Sequence, residues 1–233
     1  MMNKRIYKII ISVSVAAVML ALLSGCSSVV RSLDVIGNGS VTSFGEVLDA
    51  LPGGVSTDET KNGWTFSAPD GTARFIWSYD WSISKPYDVM IEFDAQPFID
   101  AGLDPDKLPE NYIYKDNKLI VGIDFGDTAS KGGAVLSPIE AYGQIVNIKA
   151  SAIGYHSVLD HFGVSLGDGN MFEWAKNINA NDKDMVFVLN PGPLITAGVN
   201  PESVVGWAFA KVKVHVDGKQ TEVDKLLKPF NLK

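Results

Sequence analysis

Nine residues, Pro97-Phe98-Ile99-Asp100-Ala101-Gly102-Leu103-Asp104-Pro105, return 96 positions later as Pro193-Leu194-Ile195-Thr196-Ala197-Gly198-Val199-Asn200-Pro201. Both prolines, the isoleucine, the alanine and the glycine are identical, and the Leu/Val and Asp/Asn exchanges keep the chemistry. A stretch used twice at a fixed spacing constrains the fold more than any local propensity does, because each use needs the same surroundings. The chain is therefore read as one unit written twice.

Other matches fall in the same order. Asp88-Val89-Met90 answers Asp184-Met185-Val186 at the same offset. Asp70-Gly71 and Phe75-Ile76-Trp77 answer Asp168-Gly169 and Phe172-Glu173-Trp174 at offsets of 98 and 97. Val47-Leu48-Asp49 is paired with Val158-Leu159-Asp160, and Gly54-Val55-Ser56 with Gly163-Val164-Ser165. Those two pairings require an insertion in the first copy between Ser56 and Asp70.

Local patterns give each copy a helix and antiparallel strands. Ser43-Phe44-Gly45-Glu46 has the form of a capping box, predicting a short helix over 44–51 that stops at Pro52-Gly53-Gly54. The second copy is expected to have its helix over 155–162, stopped by Gly163. Trp64, Phe66 and Ala68 alternate with polar residues, as do Ala73, Phe75 and Trp77, around the turn Pro69-Asp70-Gly71, which predicts a hairpin. Further strands are expected over 87–94, 118–125, 170–176, 184–190 and 207–216. A helical turn is expected over 97–108, with Asp104-Pro105 as cap and first residue. Ser137-Pro138 starts a helix toward Val146 between the copies, Asp217-Gly218 makes a last turn, and 222–227 is expected to be helical. The fold class is α+β: two tandem units of about 95 residues, over 41–131 and 132–233, either separate or packed as one body.

Ahead of these units stands a different kind of segment. Lys4, Arg5 and Lys8 precede an apolar run over 9–23, which is too short for a permanent membrane span of roughly 20 residues. Leu23-Ser24-Gly25-Cys26 closes it. This order resembles the signal peptide and lipobox of bacterial lipoproteins. The resemblance covers residues 1–26 only, and implies cleavage after 25, lipidation of the Cys26 thiol and acylation of the new amino terminus. Cys26 is the single cysteine of the chain, so no internal disulfide is possible. Residues 26–40 are then expected to act as a tether. The localisation implied is the extracytoplasmic face of a membrane. Ser27 and Ser28 after the cysteine resemble an outer-membrane sorting signal in a two-membrane bacterium.

Charge agrees with lipid as the only hold on the membrane. The leader carries three bases and no acid, so removing it from a chain of formal charge −7 leaves −10. Such a body is repelled by nucleic acid and by anionic headgroups, so no nucleic-acid partner is expected.

The chemical motifs are sparse. Trp64, Tyr79 and Trp81 have no counterpart in the second copy, and alternate spacing puts 77, 79 and 81 on one face of an extended segment. With Asp80 they are the candidate ligand-binding residues, suited to stacking on a sugar or gripping a peptide. Trp77 and Trp174, shared by both copies, are expected in the core, as are Gly102 and Gly198, which need either positive φ or close packing. Asp49 and Asp160 are read as shared scaffold positions. His156 and Asp160, four apart on the expected second helix, are the candidate metal pair. Gly163-Val164-Ser165-Leu166-Gly167 matches a nucleophile elbow, but the expected order of elements around it is wrong for one.

No cofactor is expected. The leading expectation is a non-enzymatic, membrane-anchored binding module for a small solute, a glycan or an envelope protein. The alternative is a structural or assembly factor of the cell envelope, with a carboxylate-based or serine hydrolase behind both.

Overall fold

The computed structural model describes residues 26–50, 53–58, 62–82, 86–126, 135–156, 160–178, 184–216 and 219–231. Residues 1–25, read above as a signal peptide, and Asp217-Gly218, expected as a turn, lie outside the described residues. Helix α1 (Cys26–Ala50) is followed by strands β1 (Val55–Asp58), β2 (Gly63–Ser67), β3 (Ala73–Ser78) and β4 (Val89–Asp94). Short helix α2 (Gln96–Asp100) and a 3-10 turn lead to β5 (Tyr112–Lys115) and β6 (Lys118–Ile123). The same series then returns: α3 (Pro138–Ile148), β7 (Ile153–His156), β8 (His161–Ser165), β9 (Met171–Ala175), β10 (Met185–Leu189), α4 (Pro191–Thr196), a 3-10 turn, β11 (Ala208–Val216) and β12 (Lys219–Phe230).

The strands form two six-stranded sheets, β1-β2-β3-β4-β6-β5 and β7-β8-β9-β10-β12-β11, with antiparallel pairing throughout. Their connectivity is identical. This is the α+β class the patterns predicted. The inner faces share one core, in which Phe66, Phe75, Trp77, Phe172, Trp174 and Phe187 are fully buried. On the outer face of the first sheet, alternate residues Ile76, Met90 and Ile120 form a separate small cluster, as the period of two requires.

Counterpart residues meet. Phe75 stacks on Phe172 with ring centroids 4.4 Å apart and planes within 16°. Phe44 of α1 lies 4.4 Å from Tyr142 of α3. The Asp104 N–H donates to the Ala197 carbonyl at 2.8 Å, and the Asn200 N–H to the Ala101 carbonyl at 2.8 Å. Like meeting like, with reciprocal bonds, is the contact pattern of a two-fold axis.

The helices are exchanged across that axis. Helix α1 packs on β7, β8 and β9 of the second sheet, whereas α3 packs on β2 and β3 of the first. Small residues permit this. A Cβ on Gly39 would come 3.0 Å from the Phe162 ring, and one on Gly37 would come 2.9 Å from Val146. Ser43 Oγ donates to the Ala175 carbonyl at 3.3 Å. In the other direction, the Trp64 and Trp77 indoles donate to the Leu136 and Pro138 carbonyls at 2.8 and 2.9 Å.

Several expectations are corrected. Ser43 is not an N-cap, because α1 begins at Cys26 and runs through the segment read as a tether. The capping box that does form is Ser137 with Glu140, at the start of α3. That helix belongs to the second unit; residues 155 and 156 and 161 and 162 lie in the β7–β8 hairpin, not in a helix. Residues 222–227 are strand, in β12, where β11 supplies their backbone partners. The pairings of 47–49 with 158–160 and of 54–56 with 163–165 therefore fail. The counterpart of β1 is β7, and Ser165 in β8 answers Ser67 in β2, both at an offset of 98. Asp49 and Asp160 are not equivalent: one is in α1, the other at positive φ in a turn. Trp77 and Trp174 are fully buried, as predicted; Gly102 and Gly198 hold φ of +106° and +102° and approach each other's carbonyl closely, but both are exposed and not in the core.

Candidate functional site

The candidate aromatics do not form an open face. Strand β3 ends at Ser78, so the alternation that would align 77, 79 and 81 stops there. Trp81 turns inward to 2% exposure, edge-on to Phe125 at 4.8 Å, and its indole N–H donates to the Ser78 carbonyl at 3.3 Å. Trp64 and Tyr79 are half-buried against the main core, and the Trp64 indole is committed to Leu136. Asp80 is buried and accepts from the Ser82 backbone N–H at 3.1 Å and from the Ser82 hydroxyl. The polar groups of Trp64, Asp80 and Trp81 are engaged in local turns and in holding the chain at the start of α3.

The candidate metal pair also loses its basis. His156 and Asp160 flank the β7–β8 turn, with His156 paired to His161 in the ladder. The Asp160 carboxylate accepts from the Tyr155 hydroxyl, which pushes that hydroxyl's pKa up, and lies 3.8 Å from Lys176 Nζ. The His156 side chain lies outside the described residues. Among the described residues no three His, Cys, Asp or Glu side chains gather at a metal-binding distance.

Ser165 of the G-x-S-x-G match ends β8 and enters the tight turn to β9. A nucleophile elbow requires a helix after the serine. The hydroxyl instead accepts from the Gly167 N–H at 3.4 Å.

Two groups missed by sequence reading carry more of the electrostatics. The first joins the sheets at the β2–β3 and β8–β9 turns. Lys228 Nζ donates to Asp70 at 2.7 Å, although Lys228 is 158 positions away. Burial pushes the Asp70 carboxyl up, but the Lys228 bond and two from Thr72 pull it below its ordinary range. At the other turn, Asn111 donates to the Asp168 carboxylate, and the Tyr112 hydroxyl donates to Asn170 Oδ1 at 3.1 Å. Burial raises the Tyr112 pKa well above its ordinary value, against the opposing pull of the Asn170 bond. The turn motifs Asp70-Gly71 and Asp168-Gly169 signalled these places; nothing in sequence signalled their partners.

The second group lies on the outer face of the second sheet. His161 and Glu173 are both buried, with Nδ1 and Oε2 3.8 Å apart. Lys225 Nζ donates to the Gly169 carbonyl at 2.6 Å. Burial lowers its pKa, while the negative charge of Glu173 raises it. Alternation places these three residues on one face, because Glu173 pairs with Gly163 and Val186, and Val186 with Pro229.

The chain matched no protein-family model, no curated protein and no solved structure. Among the described residues, no helix is long and apolar enough to cross a membrane.

Proposed function

We propose that the protein is a lipoprotein held to the extracytoplasmic face of a membrane by acyl chains on Cys26, with residues 26–233 forming a non-enzymatic module that binds an envelope protein. The observation that carries the reading is the sequence Leu23-Ser24-Gly25-Cys26 at the end of a basic-then-apolar leader, in a chain with no other cysteine. Two or three chains bury enough methylene groups, at about 0.8 kcal/mol each, for stable anchoring. The acidic body supplies no competing electrostatic attachment.

A protein partner is favoured over a glycan or small solute for a specific reason. The aromatics suited to stacking on a sugar, Trp64, Tyr79 and Trp81, are spent on internal packing. Large apolar side chains remain exposed on the segment from α4 to the start of β11, where Ile195 is 44% and Val205 75% accessible. A partner covering them would give the protein the role of an envelope assembly factor.

The duplicated construction belongs to the same reading. The two halves descend from one ancestral unit. The offset is 98 from β1/β7 to the turn at Asp70/Asp168, 97 at Phe75/Phe172 and 96 from β4/β10 to Pro105/Pro201. Those two one-residue changes fall in loops, where single-residue deletions are tolerated, whereas the longer β11–β12 hairpin raises the offset to 107 between Val121 and Lys228.

Replacing Cys26 by alanine in the producing cell, followed by membrane fractionation and intact-mass analysis, tests the anchor. Loss of acyl mass together with release from the membrane fraction is expected; a variant that stays equally membrane-bound would overturn it. For the partner, in-cell crosslinking through a photoreactive residue at 205 is expected to trap a discrete envelope protein. A thermal shift with a glycan or metabolite, and no crosslink, would favour the small-ligand reading instead.

A further inference from the structure

We infer that the two halves of this chain, 26–126 and 135–231, form a self-sufficient protein–protein interface, so that the chain is a fused helix-exchanged dimer whose covalent connection is dispensable once it has folded. This deepens the two-unit reading above, but rests on contacts, not on shared descent.

The argument begins with what each half lacks. The first sheet presents Trp64, Phe66, Phe75 and Trp77 on its inner face, where α3 of the other half packs on β2 and β3 and Phe44 of α1 reaches Trp77 at 5.3 Å. The second sheet presents Phe162, Val164, Phe172 and Trp174, and the helix that packs there is α1. Fully burying one such side chain is worth about 1.5–3 kcal/mol. A half alone would leave several of them in water, with its own helix unseated.

Several of the contacts that close the core have a reciprocal. Helix α1 seats on β7, β8 and β9, and α3 on β2 and β3. The bond from Asp104 to Ala197 is answered by the bond from Asn200 to Ala101. The Asp70 turn is tied to Lys228 of the other half, and the Asp168 turn to Asn111. Trp207 of the second half packs edge-on to Phe93 and Phe98 of the first, at 5.4 and 5.6 Å. Apolar centre, aromatic anchors and a polar rim are the parts of an obligate interface. The occupant of each groove is thereby named: it is the other unit's helix and sheet.

Residues 127–134, Asp-Thr-Ala-Ser-Lys-Gly-Gly-Ala, contain no large apolar side chain for a core to use. In the intact chain this connection raises the effective concentration of one half near the other to the millimolar range. Cutting it removes that advantage.

The test is to place a specific protease site within 127–134 of the chain starting at residue 26, fold the protein, and then cleave it. The cleaved pieces are expected to elute together at the position of the intact chain. Their urea midpoint should fall on tenfold dilution, while the uncut protein shows no change. Gly37→Leu, which pushes α1 off Val146, should weaken association of the cleaved pieces at least tenfold while the uncut variant still folds. Ile113→Ala, in the outer cluster of the first sheet, should leave association unchanged. Pieces that separate or precipitate after cleavage without denaturant would overturn the inference, as would a midpoint independent of concentration. Either outcome leaves the anchor and the common descent standing, since neither needs a self-sufficient interface.

Discussion

Gly102 and Gly198 face each other where the two halves touch, and a Cβ built on either would come 2.7 or 2.6 Å from the carbonyl oxygen of the other. Both sit at positive φ, and both follow a short helix begun with a proline near its first position. Replacing either by alanine forces backbone against backbone and strains the φ angle, at a cost of about 1–3 kcal/mol. The double variant should cost less than the two single losses together, because one displacement relieves both contacts. Chemical denaturation of the three variants measures this; strict additivity would contradict it.

Trp77 and Trp174 are counterparts with different fates. The Trp77 indole N–H donates to the Pro138 carbonyl at 2.9 Å, whereas the Trp174 indole N–H is buried and has no acceptor among the described residues. Substitution by phenylalanine removes volume at both sites. At 77 it also removes a hydrogen bond, while at 174 it removes an unpaired donor. Trp77→Phe should therefore be the more destabilising, by about 1 kcal/mol. Equal losses in urea unfolding would show that the unpaired indole costs nothing.

Phe44 joins all four layers of the core. Its ring lies 5.3 Å from Trp77, 5.0 Å from Trp174 and 4.4 Å from Tyr142. Phe44→Ala is expected to cost about 3–5 kcal/mol, since no neighbour can collapse into the gap without leaving another. Near-ultraviolet circular dichroism should fall with it, because the tryptophans lose their fixed surroundings. A loss below 1 kcal/mol would mean that α1 is not seated between the sheets.

The bond between Lys228 and Asp70 makes a prediction in pH. The folded Asp70 carboxyl is held below its unfolded value of about 3.9. Its contribution is therefore complete above that value and is lost as pH falls through the lower folded value. Because Asp70 is half exposed, the contribution is modest, about 0.5–1 kcal/mol. Asp70→Asn should lower stability at pH 7 and flatten the acid limb below pH 4, with no change in slope between pH 6 and pH 8. An unchanged acid limb would remove Asp70 from the account.

The parts of the fold legible in sequence were those where a local pattern and the tertiary demand coincide. Phe66, Phe75 and Trp77 alternate because one sheet face is buried, and Asp70-Gly71 turns because glycine permits it. The motif around Gly102 and Gly198 was legible because its close approach admits few substitutes. Helix α1 was hidden by its own packing. Gly37, Gly39, Ser40 and Ser43 are poor helix formers that the close seat on Val146, Phe162 and Ala175 requires, so propensity pointed to a tether and a late start. That false start at Ser43 carried the second helix to the wrong place, although Phe44-Gly45 and Tyr142-Gly143 were the true counterparts. Residues 222–227 looked helical because their mixed charges suit either structure, and only pairing with β11 decides it. The candidate site failed for a related reason. Alternation at 77, 79 and 81 assumes that the strand continues, and the turn at Ser78 to Ser82 is set by Asp80 and Ser82, whose bonds no spacing rule announces.

The exchange of α1 also orders events in time. A chain made from its amino end has the first sheet long before it has α3, and α1 long before it has the strands beneath it. No core can close until β9 and β10 exist. Contacts this distant in sequence slow folding, so the body stays open to solvent until the last third of the chain has been synthesised.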